Sequence, residues 1–163
     1  MKIISLAVVA IVAAFMMTGC TKDQTKPYIV KTYSVVNDTI GAVKQAPGII
    51  TNNVPTMLTV SKTIRAALVF LGTKIGEAKV KPYVDAADVI ISTLDTINQD
   101  PSQVTAKIET IVAKLDVVRN GLVELAKWAG CEGDLPTPKA NTATVAQIAA
   151  DAQQLQEMLN KGK

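Results

Sequence analysis

The sequence predicts an all-α protein, an antiparallel up-and-down bundle of about five helices that follows an apolar N-terminal segment. Apolar residues recur at spacings of four and three over five segments, which places them on one face of a helix. Prolines and glycines fall near the ends of these segments. Aromatic residues make up only 4% of the chain. Alternation by two, the pattern of a half-buried strand, is absent over any useful length.

The five segments follow one another along the chain at 28–46, 55–79, 82–99, 101–129 and 145–159. The fourth is the most regular, and its apolar positions are Val104, Ile108, Ile111, Leu115, Val118, Leu122, Leu125 and Ala129. The same spacing in the first segment selects Ile29, Tyr33, Val36, Ile40 and Val43. In the third segment it selects Val84, Ala87, Ile91, Leu94 and Asn98. We expect these positions to face the core.

Residues that start and stop helices agree with this division. Asp100 followed by Pro101 is typical of an N-cap and a first helical residue, where the missing N–H of proline costs nothing. Gly130 is expected to end the fourth helix in a left-handed conformation, and Asn141 to cap the fifth. Prolines expected at the starts of three other helices are Pro27, Pro55 and Pro82.

The N-terminus has the organisation of a targeting segment. Lys2 is followed by an apolar run over residues 3–17, as in a secretory signal peptide. The run ends in the sequence MTGC, residues 17–20. This sequence resembles the lipobox of bacterial lipoproteins, whose cysteine is acylated and becomes the first residue, although Met17 stands where leucine is usual. The resemblance covers residues 1–20 only.

The resemblance implies a signal peptide at 1–19, acyl chains on Cys20 with a short tether over 20–27, and a bundle domain at 28–163. Lipoproteins of this class carry two or three chains, and each buried methylene contributes about 0.8 kcal/mol, so attachment would be effectively permanent. An aspartate directly after the acylated cysteine tends to hold such proteins at the inner membrane of Gram-negative bacteria. Thr21 stands there instead, which implies the periplasmic face of the outer membrane in such a host.

Two alternatives to a lipid anchor remain open at the N-terminus. The apolar segment could be a retained membrane helix, because the 17 residues from Ile3 to Gly19 would span about 25 Å, at the short edge of what crosses a bilayer. The chain could also be an ordinary secreted protein. In that case, a disulfide bond between Cys20 and Cys131 becomes possible.

Catalytic and metal-binding patterns are missing from the sequence. There is no histidine, which removes the commonest general base and zinc ligand. Ser61 and Lys62 are adjacent, so on a helix they would point about 100° apart, which does not suit a Ser-Lys dyad. Asp85, Asp88 and Asp95 are better explained as a solvated helix face than as metal ligands. We therefore expect no catalytic residue, metal or cofactor.

Charge excludes one class of partner and suggests one packing arrangement. Residues 20–163 carry 16 basic and 14 acidic side chains, which is far from the strong basic bias of a nucleic-acid-binding protein. Residues 55–81 carry a net charge of +4 and residues 82–100 a net charge of −4. Two adjacent antiparallel helices of opposite charge attract each other, although a polarised surface for a partner is the alternative.

Two further residues are candidates for contact with a partner. If Cys20 is acylated, Cys131 has no partner within the chain, and it could be a partly buried thiol or could form a disulfide with a second chain, including a homodimer. Trp128 lies off the central apolar seam of the fourth helix. It fits either the edge of the core or an exposed anchor for a partner.

The sequence predicts a non-enzymatic interaction or structural protein that is lipid-anchored in the cell envelope, with a membrane-proximal protein partner. It could bind and block an envelope receptor, as phage or plasmid exclusion lipoproteins do, or hold an envelope assembly together. The alternative function is a carrier that holds a small apolar ligand between its helices.

Overall fold

A computed structural model describes the backbone of residues 3–137 and 143–162 and the side chains of residues 22–137 and 143–162. In these ranges the chain is helical and has no strand, so the all-α prediction is confirmed. The helices are α1 (Ile3–Gln45), α2 (Gly48–Asn52), α3 (Val54–Ile75), α4 (Glu77–Gln99), α5 (Val104–Ala129) and α6 (Val145–Lys161). Short 3₁₀ turns cover Pro101–Gln103 and Glu132–Asp134.

The long helices form a four-helix bundle with a fifth helix packed on one side. Helices α1, α3, α4 and α5 alternate in direction, and α6 packs against α1 and α3. The direction of α6 follows from two contacts with α1: Tyr28 Oη donates to the carbonyl oxygen of Met158 over 3.2 Å, and Lys31 pairs with Asp151. Helix α6 therefore runs antiparallel to α1 and in the same direction as α5.

The apolar seam predicted for α5 forms the centre of the core. Its positions from Ile111 onward are all buried, whereas Val104 and Ile108, in the first turns of the helix, are half-buried. The predicted seam of α1 is buried at all five positions. In helices as regular as these, the spacing of the apolar residues is enough to identify the buried face.

The predicted seam of α4 is wrong at two of its five positions. Val84 is half-buried and packs against the core, whereas Ile91 is half-buried without joining the core and Asn98 is exposed. The residues that are buried instead are Val80, Ala86, Ile90, Thr93 and Ile97, together with the correctly predicted Ala87 and Leu94. Helix α4 packs against both α3 and α5, so its buried face is broad and includes small and hydroxyl side chains that an apolar spacing does not select.

Several predicted helix ends are confirmed. Pro55 lies in the first turn of α3, and Asp100 accepts a hydrogen bond from the N–H of Ser102 at 3.1 Å. Gly130 ends α5 with a left-handed φ of 72°, a conformation that glycine adopts without strain. Asn141 lies outside the described residues. The N-cap of α6 is Thr144, which forms a reciprocal capping box with Gln147.

Pro27 and Pro82 do not start helices, contrary to the prediction, because both lie inside one. The chain upstream of each proline is helical and packed: Thr25 is fully buried and Val80 is 1% exposed. Burial of these preceding turns offsets the backbone hydrogen bond that each proline removes. The first helix of the bundle accordingly includes residues 22–27, which the sequence analysis assigned to a tether.

Candidate functional site

The most unusual surface of the molecule lies where α1 enters the bundle, and we call it the Trp128 end. Trp128 occupies the last turn of α5 and is half-buried against the core. The ammonium nitrogen of Lys22, on α1, lies 5.2 Å from the centroid of its ring, and that of Lys79, on α4, lies 5.6 Å away. Both distances are within the range of cation–π attraction. One aromatic ring thus joins three helices.

A second aromatic group lies at the same end, where α3 and α6 finish. The rings of Tyr28 and Phe70 are 4.5 Å apart between centroids, and Lys74 Nζ lies 5.2 Å from the Phe70 ring centroid. The end of α6 approaches this pair closely, since a Cβ atom on Gly162 would lie 2.4 Å from Tyr28 Oη. We call Lys22, Lys79, Trp128, Lys74, Phe70 and Tyr28 the lysine–aromatic cluster.

The lysines of this cluster differ from their neighbours in their partners. Among the described residues, Lys22, Lys74 and Lys79 form no ion pair. Nearby, Lys26 pairs with Asp23 at 2.8 Å and Lys127 pairs with Glu124 at 3.1 Å. Within the described side chains, the ammonium groups of the cluster contact ring faces and no carboxylate.

Cys131 lies next to the Trp128 end but is buried, with 2% of its surface exposed. Its N–H donates to the carbonyl oxygen of Ala126 at 2.9 Å, which fixes the turn after α5. Burial raises the pKa of its thiol, the charge of Asp134 raises it further, and Lys26 opposes them. The folded chain does not expose this thiol. A disulfide with a second chain stays a prediction and would require the turn to open.

The boundary predicted between the oppositely charged segments 55–81 and 82–100 lies inside α4, because α3 ends at Ile75 and α4 begins at Glu77. The two helices are nevertheless an antiparallel pair of opposite net charge, +3 on α3 and −2 on α4, joined at Gly76. Arg65 on α3 pairs with Asp88 on α4 at 2.5 Å, which ties the two helices together, while Lys81 and Asp85 pair within α4. No group of three potential metal-binding side chains occurs in the part of the chain that the structure describes. Asp85 and Asp88 thus take part in ion pairs.

Grooves of about 450–530 Å³ lie between helices at the surface. The groove between α3 and α6 is lined by the hydroxyl groups of Thr56, Thr59 and Thr63 and by glutamines, and the groove between α3 and α4 contains the Arg65–Asp88 pair. Both grooves also contain apolar side chains, among them Val60 and Ala152 in the first and Leu68 and Val80 in the second. Both are open at the surface, whereas a cavity for a small apolar ligand encloses most of that ligand.

Within the described residues, one helix is long and apolar enough to cross a membrane by length and composition, Val54–Ile75. Half of its most apolar stretch is buried inside the bundle, and a core helix passes the same criterion.

Sequence reasoning singled out Trp128 and Cys131 but did not find Lys22 or Lys79. The spacing of apolar residues carries no information about which lysine reaches a given ring across the bundle. The N-terminal position of Lys22, directly after the apolar segment, is the one signal that could have drawn attention to it. Comparison of the chain with protein-family models, with curated proteins and with solved structures found no match.

Proposed function

We propose that the protein is a lipoprotein, anchored through acyl chains on Cys20, that acts without catalysis by contacting another protein at the membrane surface of the cell envelope. The observation that carries this proposal is that the packed part of α1 begins directly after Cys20, with Lys22 over Trp128 and Thr25 fully buried. The helix runs from Ile3 to Gln45 and joins the segment that resembles a lipoprotein signal to the core of the bundle.

This continuity limits how far the bundle can move from its anchor. Fully extended, residues 21–27 could reach about 25 Å, but as a helix they rise only about 10 Å. Thr25 is fully buried and Lys22 lies over Trp128, so the packed structure begins almost at Cys20. The bundle is held close to the bilayer, and a partner within its reach is membrane-embedded or membrane-proximal.

Anchoring also supports a non-enzymatic role, because it makes weak contacts effective. Two proteins confined to one thin layer meet at a high effective concentration, so a contact that is weak in solution becomes strong at the membrane. The surface grooves mix polar and apolar side chains and are open to solvent, as is usual for a surface that contacts another protein.

The anchor is tested by the intact mass of the protein extracted from membranes. We expect the loss of residues 1–19 and the added mass of acyl chains. A Cys20→Ala variant should retain its apolar segment or lose membrane attachment. An unmodified Cys20 thiol at the N-terminus of the mature protein would refute the lipid anchor.

The role of the anchor is tested with a soluble chain that begins at Thr21. This chain keeps Lys22 and Thr25, so we expect the same helical circular dichroism and thermal unfolding as the full bundle, but loss of activity in a deletion strain. A chain that begins at Tyr28 is the matched comparison, and it should be less stable because it lacks the packed turn of α1. Full activity of the soluble chain would reject a membrane-proximal partner and favour a diffusible carrier.

A further inference from the structure

We propose that the Trp128 end of the bundle rests on phospholipid headgroups, with the lysine–aromatic cluster in contact with lipid phosphates and the bundle standing upright on the bilayer. The inference rests on the proposed membrane attachment. It adds a second, non-covalent contact between the folded domain and the lipid surface, and it assigns that contact to specific side chains.

Position is the first argument for this contact. Cys20 precedes Lys22 by two residues on the same helix, which separates them by about 3 Å along the axis. Lys22 Nζ is 5.2 Å from the centroid of the Trp128 ring. An anchor on Cys20, or a retained apolar helix in its place, would therefore bring Trp128 to the level of the headgroups.

The chemistry of the cluster fits a lipid interface. Tryptophan and tyrosine are enriched where membranes meet water, because each has an apolar ring and a polar group. Trp128 and Tyr28 are both half-buried, so neither residue is fully enclosed by the bundle. Lysines at such a boundary can bury their carbon chains while the ammonium group reaches phosphate. In the described part of the chain the cluster lysines have no acidic partner, and lipid phosphates can supply one.

Two of these lysines lie where they do not stabilise their own helices. Lys79 is in the first turn of α4, and Lys22 would be in the first turn of α1 once residues 1–19 are removed. The positive end of a helix dipole disfavours a cation at either place. Helix stability therefore does not explain their positions, whereas an anionic surface facing this end does.

The opposite end of the bundle has the charge that favours this orientation. The ranges 37–60, 92–110 and 143–151 contain five acidic residues and two lysines, and one of the five, Asp151, pairs with Lys31. At the Trp128 end, the ranges 22–28, 70–81, 124–137 and 158–162 contain seven lysines and five acidic residues, of which Asp23 and Glu124 each pair with a lysine. Anionic lipids repel the acidic end and attract the cluster, so the charge distribution turns the Trp128 end toward the membrane.

The test uses the fluorescence of Trp128, which is the single tryptophan of the chain. The protein extracted from membranes would be reconstituted into vesicles of phosphatidylcholine with phosphatidylglycerol, some carrying brominated acyl chains. We expect the emission maximum of Trp128 to lie at shorter wavelength in these vesicles than in buffer without lipid. We also expect the brominated lipids to quench this emission strongly. Quenching should weaken in vesicles of phosphatidylcholine alone and at high salt, which screens the phosphate contacts.

Matched variants separate the cluster from general charge. The double variant Lys22→Gln with Lys79→Gln should reduce lipid quenching of Trp128, since each lysine near an anionic surface favours contact about fivefold. Lys62→Gln with Lys107→Gln removes the same charge from α3 and α5 away from the cluster, and should not reduce quenching. Circular dichroism of both variants should match the original protein.

The outcomes against the proposal are distinct from those against the anchor. Acylated protein whose Trp128 is not quenched by brominated lipids would overturn the headgroup contact and leave the anchor standing. Equal loss of quenching in both double variants would overturn the role of the cluster. Protein that carries no acyl mass and does not sediment with the vesicles would overturn both the anchor and the contact.

Discussion

The middle of α5 and its last turn differ in what their side chains contact. At Leu115 and Leu122, the helix packs wholly apolar side chains that are 1% and 0% exposed. At Trp128, between one and two turns beyond Leu122, a half-buried ring lies under two ammonium groups. The middle is enclosed by α1 and α4, whereas the last turn lies at the end of the bundle.

This difference predicts which positions determine stability and which are available for contact with other molecules. Close-packed interiors penalise any change of volume, so the middle of the bundle should tolerate few substitutions. Partly exposed positions pack against fewer atoms and cost less to change. If the Trp128 end serves membrane contact, its substitutions should alter that contact with small effects on folding.

The largest expected effect is at Leu115. Leu115→Ala should lower the free energy of unfolding by about 2–5 kcal/mol, through lost burial and the cavity left behind. Chemical denaturation followed by circular dichroism would measure it. Val117→Ala is the matched control on the same helix, because Val117 is 41% exposed, and it should change stability by less than about 0.5 kcal/mol. Similar losses from the two substitutions would show that the α5 seam is not the core.

A second prediction concerns the close approach of α4 to α5. A Cβ atom on Gly121 would lie 2.4 Å from the ring of Tyr83. Gly121→Ala should therefore lower the free energy of unfolding by about 1–3 kcal/mol through overpacking. The better helix propensity of alanine offsets about 1 kcal/mol of this loss. Thermal unfolding would measure the net loss. Gly48→Ala is the control, because nothing lies within 4 Å of a Cβ there.

The clash gives this second prediction an internal check. Adding Tyr83→Ala removes the ring that the new methyl group meets. Gly121→Ala should then become neutral or stabilising in the Tyr83→Ala background, since only the propensity gain remains. An equally large loss in that background would mean that the ring does not limit the approach of the two helices.

The sequence predicted the middle of the bundle better than its end, for a physical reason. Regular apolar spacing reports burial along one helix, so the seam of α5 was identified from Ile111 to Ala129. It does not report contacts between helices. The fit of Tyr83 over Gly121 depends on the packed backbone. The prolines also led to a wrong prediction. Pro27 would start the helix only if the preceding turn were unpacked, but Thr25 in that turn is fully buried.

Cys131 sharpens the comparison, since it lies near the Trp128 end and is buried like the core. We expect its thiol to react with alkylating reagents only when the protein opens, and Cys131→Ala to cost about 1 kcal/mol or less. Burial raises the pKa of the thiol in the folded chain. The neutral thiol therefore favours folding at neutral pH, and this contribution is lost as pH rises through the raised pKa. Rapid labelling of the native protein at neutral pH would contradict the buried position.

The smallest expected effect on stability is at Lys79, and it separates folding from function most clearly. Lys79→Gln removes a cation–π contact of about 0.5–1 kcal/mol at a partly exposed site. It also removes an unfavourable charge from the first turn of α4, which raises the free energy of unfolding by about 0.3–1 kcal/mol. The two effects oppose each other, so chemical denaturation should show a net change within about 0.5 kcal/mol, smaller than at Leu115, Gly121 or Cys131.

Lys107→Gln, distant from the cluster, is the control for loss of one charge. Membrane contact measured through Trp128 should nevertheless weaken in the Lys79 variant and not in the control, because phosphate loses a cationic partner only there. A large loss of stability at Lys79 would place this lysine with the middle of the bundle and remove the reason for assigning it to the lipid surface.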